Sequence, residues 1–288
     1  MNVREALLEG RRLLESIGSD EAPLEAELLL MHAMRADRVR LYQRLNDPLP
    51  PRAEATYRRY LERRRAREPT AYIIGHKEFF GLEFEVSRSA LIPRPETEVL
   101  VELVVHWARR NRPGKPVTIA DVGVGCGTIA VALAHELPRA RVFAIDTSKR
   151  ALRLAERNAR RHGVAERIEL LHGSILKPLG SRVDVIASNL PYVRTGDWQE
   201  LPPEIRNYEP RGALDGGPDG LRLIRRLLKQ APERLASGGA LFAEIGDDEG
   251  AEARAAAERC FPDARIEVRP DLAGLDRVLV IEAATPST

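Results

Sequence analysis

Between residues 117 and 282 short β-branched and apolar runs alternate with amphipathic helical segments. That alternation constrains the fold more than any other feature of the chain. Segments 117–123, 141–146, 167–173, 182–192, 239–246, 264–270 and 277–283 read as strands, and segments 128–137, 149–163, 221–235 and 249–261 as helices. Strands joined by helical crossovers pair in parallel and bury both faces. The expected fold class is therefore α/β, a doubly wound, mostly parallel seven-stranded sheet. The six residues 271–276 are too few for a crossover helix, so the last two strands should be an antiparallel pair at one edge.

The rest of the chain has a different texture. Residues 1–69 carry four helical patterns. In the first, Val3, Leu7, Leu8, Leu14 and Ile17 recur near a 3.6-residue period and Gly18 is a stop signal. Asp20 is the expected N-cap of the second, with Pro23 in its first turn. A third follows Asp37, and a fourth runs from about Pro51 to Arg67. Four short helices in this length imply a small N-terminal helical bundle domain. Residues 70–95 alternate aromatic or β-branched with polar residues around Gly75 and Gly81, the pattern of a β-hairpin linker. Residues 96–288 form the third segment, with a helix starting at Glu96 or Thr97.

Composition removes several classes. No apolar run approaches the roughly 18 residues of a membrane span, so no membrane association is expected. Glu5 and Glu9 argue against a leader peptide. The two cysteines, Cys126 and Cys260, exclude a disulfide framework and fit a reducing, cytoplasmic home. The six histidines show no ligand spacing, so no metal is expected. A net charge of +2 is too balanced to argue for nucleic acid. Residues 48–75 do carry seven Arg against three Glu, either a patch for an acidic partner or a solvated helix face.

The chemistry-bearing residues fall where strands end. Asp121, Gly123, Val124, Gly125, Cys126 and Gly127 join the first strand to its helix. Glycines at alternate positions permit a sharp turn and a close backbone approach to a ligand, and helix N–H groups then face it. Position 128 is Thr where the dinucleotide fingerprint needs Gly, which points away from NAD and toward another adenosine-bearing cofactor. The plain alternative is a tight turn without a ligand. Asp146 ends the next strand and can accept two ribose hydroxyls, or else cap the helix near Ser148. Asn189, Leu190, Pro191 and Tyr192 end the fourth strand. The Asn189 side-chain carbonyl and the Leu190 main-chain carbonyl can accept both hydrogens of a planar –NH2 group. Pro191 fixes the turn, and Tyr192 is the expected flat apolar wall. Ligands of open α/β sheets bind outside the carboxyl ends of strands, so these three motifs should share one cleft.

These residues carry a resemblance. Asn189-Leu-Pro-Tyr192 resembles the Asn-Pro-Pro-Tyr motif of amino- and amide-nitrogen methyltransferases, with Leu in place of the commoner Pro. Together with the glycine loop and Asp146 it is similar to class I S-adenosylmethionine-dependent enzymes, whose fold is Rossmann-like. The segments Tyr72–Gly75 with Phe79, Leu91–Glu98 (LIPRPETE), Tyr208–Leu221 (YEPRGALDGGPDGL) and Gly274–Val278 resemble the release factor glutamine methyltransferase family. The likeness spans nearly the whole chain.

The resemblance implies S-adenosylmethionine as cofactor, held by Asp121, Gly123, Val124, Gly125, Cys126, Gly127, Asp146, Ser174, Ile175 and Asn189. Ser174 stands where relatives often have Asp near the adenine. Catalysis would rest on Asn189, Leu190, Pro191 and Tyr192. The implied substrate is the glutamine of the Gly-Gly-Gln loop of class-one peptide chain release factors, docked on the helical bundle by a monomeric enzyme with no direct need for nucleic acid. Rival readings are a glutamine methyltransferase acting on a ribosomal protein, a DNA adenine N6 methyltransferase, and a non-catalytic S-adenosylmethionine- or release-factor-binding module. The chain lacks an evident target-recognition domain and a strong basic stripe, which disfavours DNA. A pure binder has no need of amide-orienting acceptors. Cys126, Cys260, Trp107 and Trp198 read as packing residues, and Glu96 and Thr97 either line the cleft, as the resemblance implies, or simply start a helix.

Overall fold

The computed structural model describes residues 1–284. The chain divides into two compact units, residues 1–76 with 202–208, and residues 77–201 with those from 209 onward. The first unit is helical: α1 (Val3–Ser16), α2 (Ala22–Met34), α3 (Arg38–Gln43), α4 (Pro51–Arg65), α5 (Thr70–Ile74) and, from further along the chain, α9 (Pro203–Tyr208). Asn2 and Glu5 form a reciprocal capping box that starts α1, and Gly18 follows its end at a φ of 72°. Asp37 caps α3 through the Arg40 N–H, as expected. Asp20 does not cap α2. Glu21 holds that position without a side-chain bond, and Ser19 and Glu25 bond each other instead. Val3, Leu14, Leu29, Leu30, Leu41 and Leu61 close the core of this unit.

The arginine-rich run is largely the solvated helix face expected as one alternative, with Arg52, Arg58, Arg59 and Arg65 exposed and Arg64 buried. Arg58, Arg63, Arg64, Arg65 and Arg67 all have carboxylate partners. Arg64 is 5% exposed and bonds both Glu25 at 3.1 Å and Glu204 at 2.9 Å. Buried ions need such partners. The Glu204 contacts, with a Tyr208 hydroxyl bond to the Ala66 carbonyl at 2.6 Å, hold residues 202–208 in this unit.

Two further expectations for residues 70–95 are corrected. Residues 70–74 form α5, ended by Gly75 at a φ of 88°, where an extended segment was expected. The hairpin of β1 (His76–Phe79) and β2 (Leu82–Glu85) is no free linker. Phe79 and Phe84 lie fully inside the core of the second unit, which anchors the hairpin there.

That unit continues with α6 (Thr97–Asn111), β3 (Val117–Val122), α7 (Thr128–Glu136), β4 (Ala140–Asp146), α8 (Lys149–Arg161), β5 (Ile168–His172) and β6 (Val183–Asn189). Next come β7 (Val193–Arg194), β8 (Asp215–Gly217), α10 (Arg222–Arg234), β9 (Leu235–Glu244), α11 (Gly250–Cys260), β10 (Arg265–Pro270) and β11 (Asp276–Glu282). The main sheet has seven strands in the order β10-β11-β9-β6-β3-β4-β5. Five are parallel, and β11 runs antiparallel to both β9 and β10, as the short connection required. Alternate strand residues face opposite layers. Ile119, Val142 and Val185 pack with α6, α7 and α8, whereas Ala120, Ile145 and Ile186 pack with α10 and α11. The chain passes from β3 to β4 on one side and returns to β6 on the other. The carboxyl ends of β3 and β6 therefore flank the point where strand order reverses. A small parallel pair, β7 with β8, follows β6 and had no signal in the strand pattern.

Candidate active site

A cavity of about 340 Å³ opens at that reversal point, within the range of small-molecule sites. Gly123, Val124, Gly125 and Cys126 of the glycine loop, Asp146, Ser174, Ile175, Asn189, Leu190 and Pro191 all line it, whereas Gly127, expected with them, faces Ala155 and does not. Three separate sequence motifs thus share one cleft.

The glycine loop is bound to the neighbouring strand through Gly123 and Val124 N–H bonds to the Ile145 carbonyl at 2.8 and 3.0 Å. Gly123, Gly125 and Gly127 have φ values of 86°, 56° and 93°, a region that L side chains avoid. Two of them also lack room. A Cβ on Gly123 would stand 3.3 Å from the Asn189 carbonyl oxygen, and one on Gly127 would stand 3.1 Å from Ala155. The missing side chains let the loop approach both the Asn189 turn and α8.

Asp146 stands at the cavity and does not cap α8, the plainer of the two alternatives. It lines the cavity, and its carboxylate accepts the Gly125 N–H at 3.1 Å and the Ser148 N–H at 2.7 Å. The cap of α8 itself is Ser148, which accepts from Ala151. Burial pushes the Asp146 carboxyl above its ordinary range, and these N–H bonds oppose the shift.

Asp121 differs from its expected place. It is fully buried and does not line the cavity. One oxygen accepts the Ala130 N–H at 3.0 Å in the first turn of α7, where Gly127 offers no side-chain cap. The other oxygen is buried without a partner. Desolvation pushes this carboxyl up to about 7, with the Asp146 charge adding to the shift. Asp121 holds the loop to its helix, and a ligand in the cavity would meet the loop rather than the carboxylate.

Tyr192 also differs. It does not line the cavity as a flat wall. Its hydroxyl turns toward Glu244 at 3.3 Å, and burial followed by that carboxylate raises its pKa. Cys126 lines the cavity as a buried thiol pushed up to about 12 by desolvation, so it is a packing group and not a nucleophile.

Thr97 both lines the cavity and starts α6, whereas Glu96 does not line it; several further site residues were not anticipated. Asn189 donates from Nδ2 to Thr97 Oγ1 at 3.0 Å, and Thr97 donates to Glu244 at 2.7 Å. Asn189 and Glu244 are register partners at the ends of β6 and β9. Burial raises the Glu244 carboxyl, while the Thr97 hydroxyl, Arg277 and Tyr192 oppose it. Asn158, fully buried in α8, donates to the Cys126 carbonyl at 2.8 Å and exchanges bonds with the backbone of Glu85. It fixes the glycine loop from behind. Glu209 accepts from Ile92 N–H at 3.1 Å and from Arg94 at 2.5 Å, which shapes the wall formed by Leu91–Arg94. Arg226 donates to Ser174 at 3.1 Å on the cavity rim. A polar residue on an apolar face was the available signal for Asn158 and Glu244. Among the described residues there is no cluster fit to hold a metal, and no helix is long and apolar enough to cross a membrane.

Comparison with known proteins covers both units. A family model described as the PrmC N-terminal domain matches residues 5–75, and one described as the methyltransferase small domain matches residues 97–201. The release factor glutamine methyltransferase of Moorella thermoacetica is 45% identical over 96% of this chain and 97% of its own length. The corresponding protein of Geobacter sulfurreducens is 47% identical over 85% of this chain and 84% of its own. A solved methyltransferase from Pyrococcus furiosus matches 77% of this chain and 99% of its own with a TM-score of 0.53 at 18% identity, a likeness of fold.

Proposed function

Because the chain belongs to the release factor glutamine methyltransferase family, we propose that its cleft methylates the side-chain amide nitrogen of the glutamine in the Gly-Gly-Gln loop of class-one peptide chain release factors. The observation that supports this most is the shared cavity. Asn189, Leu190 and Pro191 line the same space as Gly123–Cys126 and Asp146. An amide-holding motif thus faces a cofactor-holding one.

S-adenosylmethionine is the methyl donor of this family, and the residues present fit it. Gly123 and Gly125 line the cavity without side chains, so the loop backbone is open to close approach by a ligand. Asp146 offers a carboxylate for ribose hydroxyls, while Ile129, Ile145, Ile175 and Leu223 give apolar surface for a flat base. Ser174 retains a hydroxyl where relatives often have Asp. When bound, the cofactor supplies an electrophilic methyl group on a positively charged sulfur.

The chain's own residues must overcome the weakness of an amide nucleophile, whose lone pair is delocalised into its carbonyl. The Asn189 side-chain oxygen and the Leu190 carbonyl accept the two N–H hydrogens. That orients the nitrogen and stabilises the positive charge developing on it, an interaction stronger in the transition state than in the ground state. Alignment for in-line attack is the second large contribution. Leu190 keeps the carbonyl that Pro would offer, so the reaction survives this departure. The amide proton leaves to water after transfer.

We assign the helical unit, residues 1–76 with 202–208, to docking of the release factor and the unit that starts at residue 77, hairpin included, to methyl transfer, in a cytoplasmic monomer that needs no nucleic acid. The test is transfer of labelled methyl from S-adenosylmethionine to purified release factor, beside a copy whose Gly-Gly-Gln glutamine is Ala. Label on the first alone supports the reading. Label on neither, with cofactor binding intact, overturns the release-factor assignment.

A further inference from the structure

The Asn189 amide has two nearly isosteric orientations, and only the one with its oxygen toward the acceptor can take a hydrogen from a substrate –NH2 group. The alternative would set an –NH2 against an –NH2. What selects the orientation is the hydroxyl of Thr97, at the cavity wall, and the carboxylate of Glu244 behind it. Thr97 is the first residue of α6, 3% exposed, and its hydroxyl is not used to cap its own helix. It is placed between Asn189 Nδ2 at 3.0 Å and Glu244 Oε2 at 2.7 Å.

We propose that Thr97 and Glu244 are positioning residues for methyl transfer. A one-way hydrogen-bond chain from Asn189 through Thr97 to Glu244 fixes the Asn189 amide with its oxygen available to the acceptor. The inference rests on the amide-methylation reading of the cleft.

The direction of the chain follows from the inventory of donors. A carboxylate that meets a hydroxyl donor on each oxygen, as Glu244 meets Thr97 and Tyr192, acts as the acceptor of both, although burial raises its pKa. Thr97 has a single hydroxyl proton, and Glu244 takes it. The Thr97 oxygen can then only accept from Asn189, which must turn its –NH2 inward. Tyr192 donates to the other Glu244 oxygen at 3.3 Å, so both carboxylate oxygens face hydroxyl donors.

Glu244 is also a costly residue to keep here. It is fully buried and, among the described residues, makes no ion pair. The nearby Arg277 pairs with Asp271 at 3.1 Å. Burial of a carboxylate without an ion partner is unfavourable, and an apolar residue would suit the interior of β9 better. Thr97 lines the cavity and Glu244 does not, yet neither has to touch cofactor or acceptor for this role. They act through Asn189.

The test compares Thr97→Val, which keeps the shape and loses the hydroxyl, with Thr97→Ser, which keeps the hydroxyl, and with Glu244→Gln. A Gln at 244 can donate to Thr97, which frees the Thr97 proton for Asn189 and favours the reversed amide. With release factor as acceptor, Thr97→Val and Glu244→Gln should each lower kcat at least tenfold while the Kd for S-adenosylmethionine changes less than threefold. Thr97→Ser should recover most of the loss. On an Asn189→Ala background, Thr97→Val should add less than a twofold effect. Full additivity on that background, or loss shared by Thr97→Ser, overturns the proposal.

A second readout needs no methyl acceptor. In isotope-labelled protein, the side-chain amide signals that vanish in Asn189→Ala should shift in Thr97→Val and Glu244→Gln and stay close to the parent in Thr97→Ser. Unmoved signals overturn the proposal even if release factor is not the acceptor. Absence of transfer by the parent protein, with the shifts present, counts against the acceptor alone.

Discussion

Asp146 accepts the Gly125 N–H at 3.1 Å, so the acid at the end of β4 braces the very loop it shares the cavity with. A ligand engaging Asp146 meets a carboxylate already held by Gly125 and Ser148, with little freedom left to lose.

Removal of that carboxylate should therefore weaken the cofactor site twice, by loss of acceptors and by loosening of the loop. Hydrogen bonds to a charged group are worth about 1.5–3 kcal/mol each. Asp146→Ala should raise the Kd for S-adenosylmethionine roughly 10- to 100-fold, with Asp146→Asn in between. Titration calorimetry checks the order. Equal affinity in all three proteins would remove Asp146 from the site.

Gly123 couples the cofactor loop to the amide-holding turn. At a φ of 86°, with the Asn189 carbonyl oxygen 3.3 Å from where a Cβ would sit, Gly123→Ala adds backbone strain of about 1–2 kcal/mol and pushes on Asn189. The variant should lose both cofactor affinity and kcat. A change confined to affinity would show that the two motifs do not press on each other.

Leu190 separates a side-chain role from a main-chain one. Its side chain is 5% exposed and packs with Ile175, Leu176 and Leu221 in the core beneath the site. Leu190→Ala should cost about 2–5 kcal/mol of stability by leaving a cavity. Its kcat at low temperature should fall only a fewfold, because the carbonyl remains. Thermal denaturation and low-temperature kinetics together distinguish this from a catalytic side chain, which would lose activity without losing stability.

Asp121 gives a pH dependence of definite sign. Its carboxyl has a pKa of 3.8 when solvated and is pushed up to about 7 by burial in the fold. Between those values the unfolded chain binds fewer protons than the native one. Stability falls as pH rises through that window, by at most about 1.4 kcal/mol per pH unit from this group, and is level above it. Asp121→Asn keeps an acceptor for the Ala130 N–H and removes the titration. Its stability relative to the parent should improve steadily from about pH 4 to about pH 7 and then stay constant. Parallel denaturant-unfolding curves across that range would contradict the account.

The sheet was legible because its signals are local. Ile119 and Ala120 face opposite layers as strand period demands, and helical segments between strands leave little choice but parallel pairing. The shared cleft followed from the same rule, since each motif ends a strand. Short elements were harder. Residues 70–74 make a single helical turn with no room for a period to show, and Gly75 was its one punctuation mark.

The bond between Thr97 at the cavity wall and Glu244 behind it was illegible for another reason. Thr97 and Glu244 are 147 residues apart in sequence, and only the packing of α6 on β9 brings them together. Tyr192 was misplaced because its hydroxyl found Glu244, a partner invisible in the Asn189 motif itself. Asp121 was read as a ligand contact although its place at the end of β3 aims it into the first turn of α7.

Tandem mass spectrometry of release factor treated with the protein and S-adenosylmethionine tests the central claim most directly. The account predicts one added methyl group, on the side-chain nitrogen of the Gly-Gly-Gln glutamine, formed by the parent chain and at a strongly reduced rate by Asn189→Ala. A methyl group on any other residue, or an equal yield from Asn189→Ala, would contradict it.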